Sequence, residues 1–248
     1  MEDRISRIII VGGGSAGWLS AGVIAAENRI DSQAQQPFEL LLIESPDVPT
    51  IGVGEGTWPS MRATLQRIGL SETDFIRECD ASFKQGTYFR NWHAGSGDTY
   101  SHPFTVPIGY ADTNLAPHWL ALTDAPQFAD AVTPQTALFA DCLAPKQITT
   151  PEYAFVVNYG YHLDAGKFSE LLRQHCTEQL GVKHVKANVL QINAAENGDI
   201  QSVTTDCAGE IAGDLFIDCT GTRSLLLGEH FKIPFQSQQA YLFNDTAL

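Results

Sequence analysis

The fold is decided near the N-terminus by the stretch Ile8-Ile9-Ile10-Val11-Gly12-Gly13-Gly14-Ser15-Ala16-Gly17-Trp18. Its first part, residues 8–11, is a β-branched run of the kind that forms a buried parallel strand. A Gly-x-Gly-x-x-Gly pattern at Gly12, Gly14 and Gly17 follows at once, and residues 18–27 read as a helix. We therefore expect a strand, a glycine turn and a helix in direct succession.

The glycine turn has the chemistry of a dinucleotide site. The first glycine permits the tight turn, the second lets backbone N–H groups approach a pyrophosphate, and the third lets helix and strand pack closely. The helix N-terminus adds a positive dipole. A second buried strand at residues 38–43 ends in Glu44, whose carboxylate can accept from ribose hydroxyls. The alternative is a glycine-rich turn that only packs. The candidate contacts are Gly12, Gly14, Ser15, Ala16, Gly17 and Glu44.

The second half of the chain bears on which dinucleotide binds. Asp164 is placed to cap a helix, and Asn197-Gly198 is a hairpin turn signal between two short strands. A final buried strand, residues 215–219, is followed by Thr220-Gly221. A domain for NAD would continue with further strand–helix–strand units, whereas a late strand that ends in small residues lets a flavin approach the sheet. This favours FAD over NAD, with Asp218 and Gly221 as further candidate contacts.

Composition excludes several classes of protein. The chain has 248 residues, of which 44% are hydrophobic and 18% charged, enough for a core in one large domain or in a domain with part of another. Its 15 basic and 29 acidic residues give a net charge of −14, which argues against a partner of nucleic acid or anionic membrane. Five cysteines without a CxxC pair predict neither a disulfide framework nor a metal site, and a cytoplasmic location fits them best.

Two segments have the composition of functional loops. Residues 46–57 are rich in Gly and Pro, and we expect an ordered loop that lies against the flavin. Residues 95–151 show little periodicity and contain many prolines, which predicts a loop-rich insertion towards the substrate side.

A lysine stands in an aromatic setting. Lys84 ends the stretch Ala81-Ser82-Phe83-Lys84, and Tyr88, Phe89 and Trp92 follow it. A desolvated lysine can serve as an acid, a base, a hydrogen-bond donor or an amine nucleophile. A lysine can also pack its stem while its ammonium stays in water, and the residues alone favour that second interpretation.

Several stretches together resemble the flavin-dependent tryptophan halogenase family, in the same order and with similar spacing. They are Val11-Gly12-Gly13-Gly14-Ser15-Ala16-Gly17-Trp18, Ile51-Gly52-Val53-Gly54-Glu55-Gly56-Thr57, Ala81-Ser82-Phe83-Lys84 with Asn91-Trp92, Tyr161-His162-Leu163-Asp164-Ala165, and Asp214-Leu215-Phe216-Ile217-Asp218-Cys219-Thr220-Gly221. The glycine turn alone is a modest signal, and its combination with the Gly-Val-Gly-Glu-Gly-Thr segment and the lysine is specific.

The resemblance implies an α/β fold with a Rossmann-like FAD-binding architecture of the glutathione-reductase and aromatic-hydroxylase type. A β-hairpin or meander and a partial substrate region complete it. Residues 1–248 would be the FAD-binding portion of one discontinuous domain, and 222–248 the start of the substrate region. The family's catalytic glutamate and halide site lie farther along the chain than residue 248. The resemblance therefore implies a fragment that is incomplete or inactive by itself.

The resemblance also implies an activity and partners. Reduced FAD from a separate flavin reductase, with oxygen and halide, would give hypohalous acid, which Lys84 relays to an electron-rich aromatic such as tryptophan or indole. Glu55, Gly56 and Val189 match flavin contacts of the family. His102 and Phe104 match residues of its substrate pocket. A homodimer is possible in such a protein, and neither a metal nor a membrane is implied.

Two other functions are compatible with the same fold. A flavin-dependent monooxygenase would hydroxylate its substrate with the same oxygen chemistry, although hydroxylation needs no amine relay such as Lys84. A non-catalytic FAD-binding fragment would use the glycine turn alone.

Overall fold

A computed structural model describes residues 5–31, 38–49 and 54–242. Within these ranges the chain divides into two compact units. The discontinuous unit combines Met1–Thr50 with Leu172–Leu248, and the central unit is Ile51–Leu171. Part of the loop predicted at residues 46–57, namely 50–53, lies outside the described residues, as do 243–248.

The regular elements are numbered in chain order. The strands are β1 (Arg7–Val11), β2 (Glu39–Glu44), β3 (Gly54–Gly56), β4 (Ser82–Lys84), β5 (Gly86–Arg90), β6 (Thr99–Pro103), β7 (Gly160–Asp164), β8 (Lys183–Lys186), β9 (Val189–Ala194), β10 (Ile200–Thr205), β11 (Glu210–Ala212) and β12 (Leu215–Asp218). The α-helices are α1 (Ser15–Asp31), α2 (Ser60–Arg67), α3 (Glu72–Glu78), α4 (Ala116–Leu120), α5 (Phe128–Val132), α6 (Gln135–Ala140) and α7 (Ala165–Glu178). A 3₁₀ helix at Gly221–Arg223 and a π-helical turn at Leu225–His230 follow β12.

A parallel sheet in the order β12-β1-β2-β8 forms the centre of the discontinuous unit. Its middle strands carry continuous apolar runs, as expected for strands that are buried on both faces. Ile9 of β1 lies between Leu41 of β2 and Phe216 of β12, and Ile9 is fully buried. The strand, turn and helix predicted from residues 8–27 are confirmed, with the helix extending from Ser15 to Asp31.

An antiparallel meander of β9, β10 and β11 packs on this core. The predicted hairpin is confirmed, because β9 and β10 flank the Asn197-Gly198 turn and Gly198 has a φ of +92°. The predicted final strand is also present as β12, which ends at Asp218. It was expected to be buried, but it is an edge strand of the sheet and its residues are exposed or half-buried. The parallel strand β8 was not predicted, since its sequence Lys183-His184-Val185-Lys186 has only one apolar residue.

The central unit contains a three-stranded antiparallel sheet in the order β3-β7-β4 and a β5–β6 hairpin. Helix α3 begins after Ser71, whose side chain accepts a hydrogen bond from the N–H of Asp74 and so caps the helix. Phe75 of α3 packs edge-on against Tyr161 of β7, with ring centroids 4.8 Å apart. Residues 95–151 contain β6 and the helices α4, α5 and α6, each of five or six residues.

Candidate functional site

The glycine turn between β1 and α1 is built by backbone packing. Gly12 has a φ of +116°, which favours glycine, and its N–H donates to the carbonyl of Ile43 at 2.9 Å. A Cβ atom at Gly12 would overlap the backbone carbonyl of Cys219. A Cβ atom at Gly17 would overlap the carbonyl oxygen of Gly12. The first and third glycines of the pattern therefore bring β1, α1 and the end of β12 together.

The second glycine of the pattern borders open space instead. An added Cβ atom at Gly14 would meet no atom within 4 Å. Helix α1 starts here, with the N–H of Trp18 donating to the carbonyl of Gly14 at 3.1 Å. The first N–H groups of a helix have no partner within that helix and carry the positive end of its dipole. The space at Gly14, Ser15 and Ala16 therefore fits a pyrophosphate.

Glu44 ends β2, at the edge of the sheet that carries the glycine turn. Its Oε2 atom lies 2.7 Å from Nε2 of His184 in β8. His184 could not be selected from the sequence, because only the β2–β8 pairing brings it beside Glu44.

The other candidate flavin contacts of this unit are Asp218 at the end of β12, Gly221 shortly after it, and Val189 at the start of β9. Both carboxylate oxygens of Asp218 accept hydrogen bonds from residues 220–227, among them the N–H of Leu226 at 2.8 Å and the hydroxyl of Thr220 at 2.6 Å. Burial raises the pKa of Asp218, but these hydrogen bonds outweigh it and hold the pKa below its usual value. Gly221 has a φ of +63°, and Val189 packs partly buried on the core. The Asp218 side chain thus stabilises the turn that contains Gly221.

In the central unit, one sheet brings the Gly-Val-Gly-Glu-Gly-Thr segment beside the lysine. Its described part forms β3, and β7 pairs with β3 on one side and with β4 on the other. Gly56 lies opposite His162, and Lys84 lies opposite Gly160. The Glu55 side chain is exposed. The two motifs are therefore neighbours across one strand.

The Lys84 ammonium lies over two aromatic rings. Its Nζ atom is 5.6 Å from the ring centroid of Phe104 and 5.8 Å from that of Trp58. These two rings are themselves in tilted contact, with centroids 5.5 Å apart. Lys84 is half-buried, and its side chain makes no hydrogen bond or ion pair with another residue in the described ranges. Its surroundings match a cation–π site and differ from those of a paired surface lysine.

A cavity of about 550 Å³ adjoins these rings. Trp58, His102 and Phe104 line it, together with Tyr100, Gln127 and Phe128. Its described lining contains no aspartate, glutamate, lysine or arginine, and its volume suits a small-molecule ligand. His102 and Phe104 were predicted to line the substrate pocket, whereas Trp58 was missed. The available signal was its position directly after the Gly-Val-Gly-Glu-Gly-Thr segment.

The buried carboxylate of Glu72 stabilises strands β7 and β4. Glu72 is 2% exposed and accepts from the hydroxyls of Tyr159 at 2.5 Å and Tyr161 at 2.7 Å. It also accepts from Nζ of Lys146 at 2.7 Å. Burial raises the pKa of Glu72, but these hydrogen bonds outweigh it and lower the pKa below its usual value. Since Tyr161 pairs with Phe83 in the sheet, the carboxylate network fixes the strand that carries Lys84.

Two other features are absent from the described residues. No group of three or more His, Cys, Asp or Glu side chains in them is placed to hold a metal ion. No helix in the same ranges is long and apolar enough to cross a membrane.

Comparison with known proteins gives consistent matches to halogenases. The family model for tryptophan halogenase matches residues 7–248. The chain is 32% identical to tryptophan 7-halogenase RebH of Lentzea aerocolonigenes over 265 residues, an alignment that covers 100% of this chain and 48% of RebH. The chain thus spans about half the length of the curated relatives that it matches.

Solved structures agree with this result. The tryptophan halogenase of Shewanella frigidimarina NCIMB 400 superimposes with a TM-score of 0.93 at 54% identity, over 99% of this chain and 48% of that one. Tar14, a tryptophan C-6 flavin-dependent halogenase (chlorinase) from taromycin biosynthesis, gives a TM-score of 0.84 at 32% identity, over 94% of this chain and 46% of Tar14. The predicted α/β, Rossmann-like fold is confirmed. With its glycine turn, its lysine beside β3 and a family match over residues 7–248, the chain belongs to the tryptophan halogenase family.

Proposed function

We propose that this chain is the FAD-binding and halogen-relay portion of a flavin-dependent halogenase that acts on an electron-rich aromatic. The observation that carries the proposal is the position of the Lys84 ammonium, which lies 5.6 Å from the ring centroid of Phe104. Phe104 in turn lines a cavity whose described lining has no aspartate, glutamate, lysine or arginine. Hydroxylation needs no such amine, so the same observation disfavours a monooxygenase.

The residues around the glycine turn fit FAD. Gly12, Gly14 and the first turn of α1, Ser15 to Gly17, would hold the pyrophosphate, and Glu44 would accept from the ribose. When bound and reduced, FAD supplies the activation of oxygen that converts halide to hypohalous acid. Further contacts are assigned by motif match to Glu55, Gly56, Val189, Asp218 and Gly221.

In this proposal Lys84 positions the halogen. Its Nζ–H groups donate to the oxygen of hypohalous acid and hold the halogen towards one carbon of the substrate ring. Free hypohalous acid attacks many positions, so selective transfer needs a fixed donor. Phe104 and Trp58 provide apolar faces for an indole or a similar ring, and His102 lies at the same cavity. Strand β4 holds the lysine on a regular element, as a positioned group requires.

The partners follow from this chemistry. They are a flavin reductase that delivers reduced FAD, a halide, and an aromatic small molecule, in a cytoplasmic protein that can form a homodimer. A non-catalytic FAD-binding fragment is the second candidate, and the observation that favours it is that the glycine turn and Glu44 belong to a compact unit that does not contain Lys84.

The test uses the complete protein that contains this chain, with FAD, a flavin reductase, NADH, bromide and indole. We expect brominated indole from the unmodified protein and none from its Lys84→Met variant, while both proteins retain FAD and oxidise NADH at the same rate. Lys167→Met is the matched control, because Lys167 is an exposed lysine of the same unit that pairs with Asp80. Product from Lys84→Met at the unmodified rate would refute the relay. FAD binding without product in the complete unmodified protein would support the non-catalytic function.

A further inference from the structure

Glu44 and His184 form a close pair at the edge of the parallel sheet. Strand pairing places His184 opposite Leu42, so its side chain lies on the sheet face that also carries Glu44. The Oε2 atom of Glu44 and the Nε2 atom of His184 are 2.7 Å apart. Both atoms are buried, and neither makes a hydrogen bond of ordinary geometry in the described residues. At this separation the pair is a close polar contact that needs a proton on one of the two atoms.

The imidazole is held in place by α1. The Trp18 ring packs edge-on against His184, with centroids 5.0 Å apart and an interplanar angle of 76°. Trp18 is 1% exposed and directly follows Gly17 of the glycine turn. His184 therefore has a fixed orientation set by the same helix whose N-terminus forms the turn.

The carboxylate is held on its other side by the glycine turn itself. A Cβ atom at Gly13 would overlap Cγ of Glu44, so the stem of Glu44 passes directly against Gly13. A carboxylate has two acceptor oxygens. Because His184 takes Oε2, ligand recognition at the turn falls to Oε1.

The charge state of the pair favours Glu44 as a hydrogen-bond acceptor. Burial lowers the pKa of His184 below its ordinary value, although the Glu44 carboxylate opposes this shift and the cations of Arg173 and Lys186 add to it. A neutral imidazole that donates from Nε2 leaves Glu44 its negative charge. Hydrogen bonds to a charged acceptor are the stronger kind.

We propose that His184 is a positioning residue that holds Glu44 so that its Oε1 atom accepts the adenosine ribose 2′-hydroxyl of a bound dinucleotide. This inference rests on the nucleotide site of the proposed function and is independent of halogenation. The ribose contact itself is the one that an acidic residue makes at this point of dinucleotide-binding folds.

The experiment measures nucleotide discrimination instead of activity. ADP and 2′-deoxy-ADP are titrated by calorimetry into the full chain and into Glu44→Gln, His184→Phe, His184→Gln and the control His93→Phe, an exposed histidine of the central unit. We expect the unmodified chain and the control to prefer ADP by at least about tenfold, the lower end of what one hydrogen bond to a charged group contributes. Glu44→Gln and His184→Phe reduce the preference to less than about threefold.

The conservative variant His184→Gln distinguishes a positioning role of His184 from a general effect on protein stability. His184→Gln keeps an N–H donor, so we expect it to retain part of the preference that His184→Phe loses, at similar melting temperatures. If His184→Phe keeps the preference for ADP and Glu44→Gln loses it, the positioning role of His184 is refuted. The ribose contact of Glu44 would stand in that case. No binding of either nucleotide to the unmodified chain would overturn the nucleotide site, and the inference with it.

Discussion

A Cβ atom at Gly56 would lie 3.0 Å from the Nζ atom of Lys84. The absence of a side chain at Gly56 therefore gives the lysine ammonium its place over the Trp58 and Phe104 rings. These residues come from β3 and β4, on opposite sides of β7, so the sheet couples the Gly-Val-Gly-Glu-Gly-Thr segment to the lysine. A glycine that matches a flavin contact by sequence thus also shapes the surroundings of Lys84.

Replacing Gly56 with alanine should displace the lysine without unfolding the protein. The atom that the new methyl group meets is the end of a flexible side chain, which can move at low cost. Lys84 then leaves the two ring faces and loses their ring-current shielding. With ¹³C-methylated lysines, the Lys84 resonance, assigned with Lys84→Arg, should move downfield in Gly56→Ala. An unchanged resonance would show that Gly56 does not determine the position of Lys84.

The glycine turn offers a matched pair of substitutions. Gly17→Ala forces a methyl group into the carbonyl of Gly12, and such overpacking costs about 1–3 kcal/mol or more. Gly14→Val meets open space and should unfold at nearly the same urea concentration as the unmodified chain. It should nevertheless lose FAD, because its side chain occupies the space assigned to the pyrophosphate. Unchanged FAD retention in Gly14→Val would count against that assignment.

The aromatic cavity should depend on Trp58. Trp58→Leu removes one ring of the contact with Phe104, and such ring pairs contribute about 0.5–1.5 kcal/mol beyond buried area. We expect indole to bind the full chain about tenfold more weakly by equilibrium dialysis. Trp92→Leu is the control, since Trp92 is 71% exposed and does not line the cavity. Equal indole affinity of Trp58→Leu and the unmodified chain would exclude Trp58 from the binding surface.

Local signals predicted β1, α1 and the β9–β10 hairpin, and they missed the three-residue strands β3 and β4. Strand β1, helix α1 and the β9–β10 hairpin are encoded by periodicity, glycines and turn residues within a few positions of each other. Strands β3 and β4 have three residues each and exist because β7 pairs with both, which no short window of sequence reveals. Tertiary pairing decides such strands.

The same limit applies to the candidate site. The glycine turn and Glu44 follow from their order in the sequence, and Lys84, His102 and Phe104 follow from the resemblance. His184 could not be predicted, because it reaches Glu44 only through the pairing of β2 with β8. The two residues of this buried polar contact are 140 positions apart in the sequence, from 44 to 184.

The buried Glu72 network should make stability dependent on pH. Its hydrogen bonds lower the folded-state pKa of Glu72, so its contribution is present above the unfolded value of 4.5 and is lost as pH falls through the folded value. At pH 7, Glu72→Gln leaves Lys146 buried without its anion and should lower the free energy of unfolding by about 3–5 kcal/mol.

Urea denaturation between pH 3 and pH 7 checks this prediction against a surface carboxylate. Glu78→Gln removes only an exposed contact to Arg77, so it should cost less than about 1 kcal/mol and leave the pH profile unchanged. Glu72→Gln should instead give a flatter profile below about pH 5, because the group whose protonation destabilises the folded state is gone. Equal acid sensitivity in Glu72→Gln and the unmodified chain would mean that other carboxylates govern acid unfolding. In that case the Glu72 carboxylate would not be the group that stabilises β7 and the strand β4, which carries Lys84.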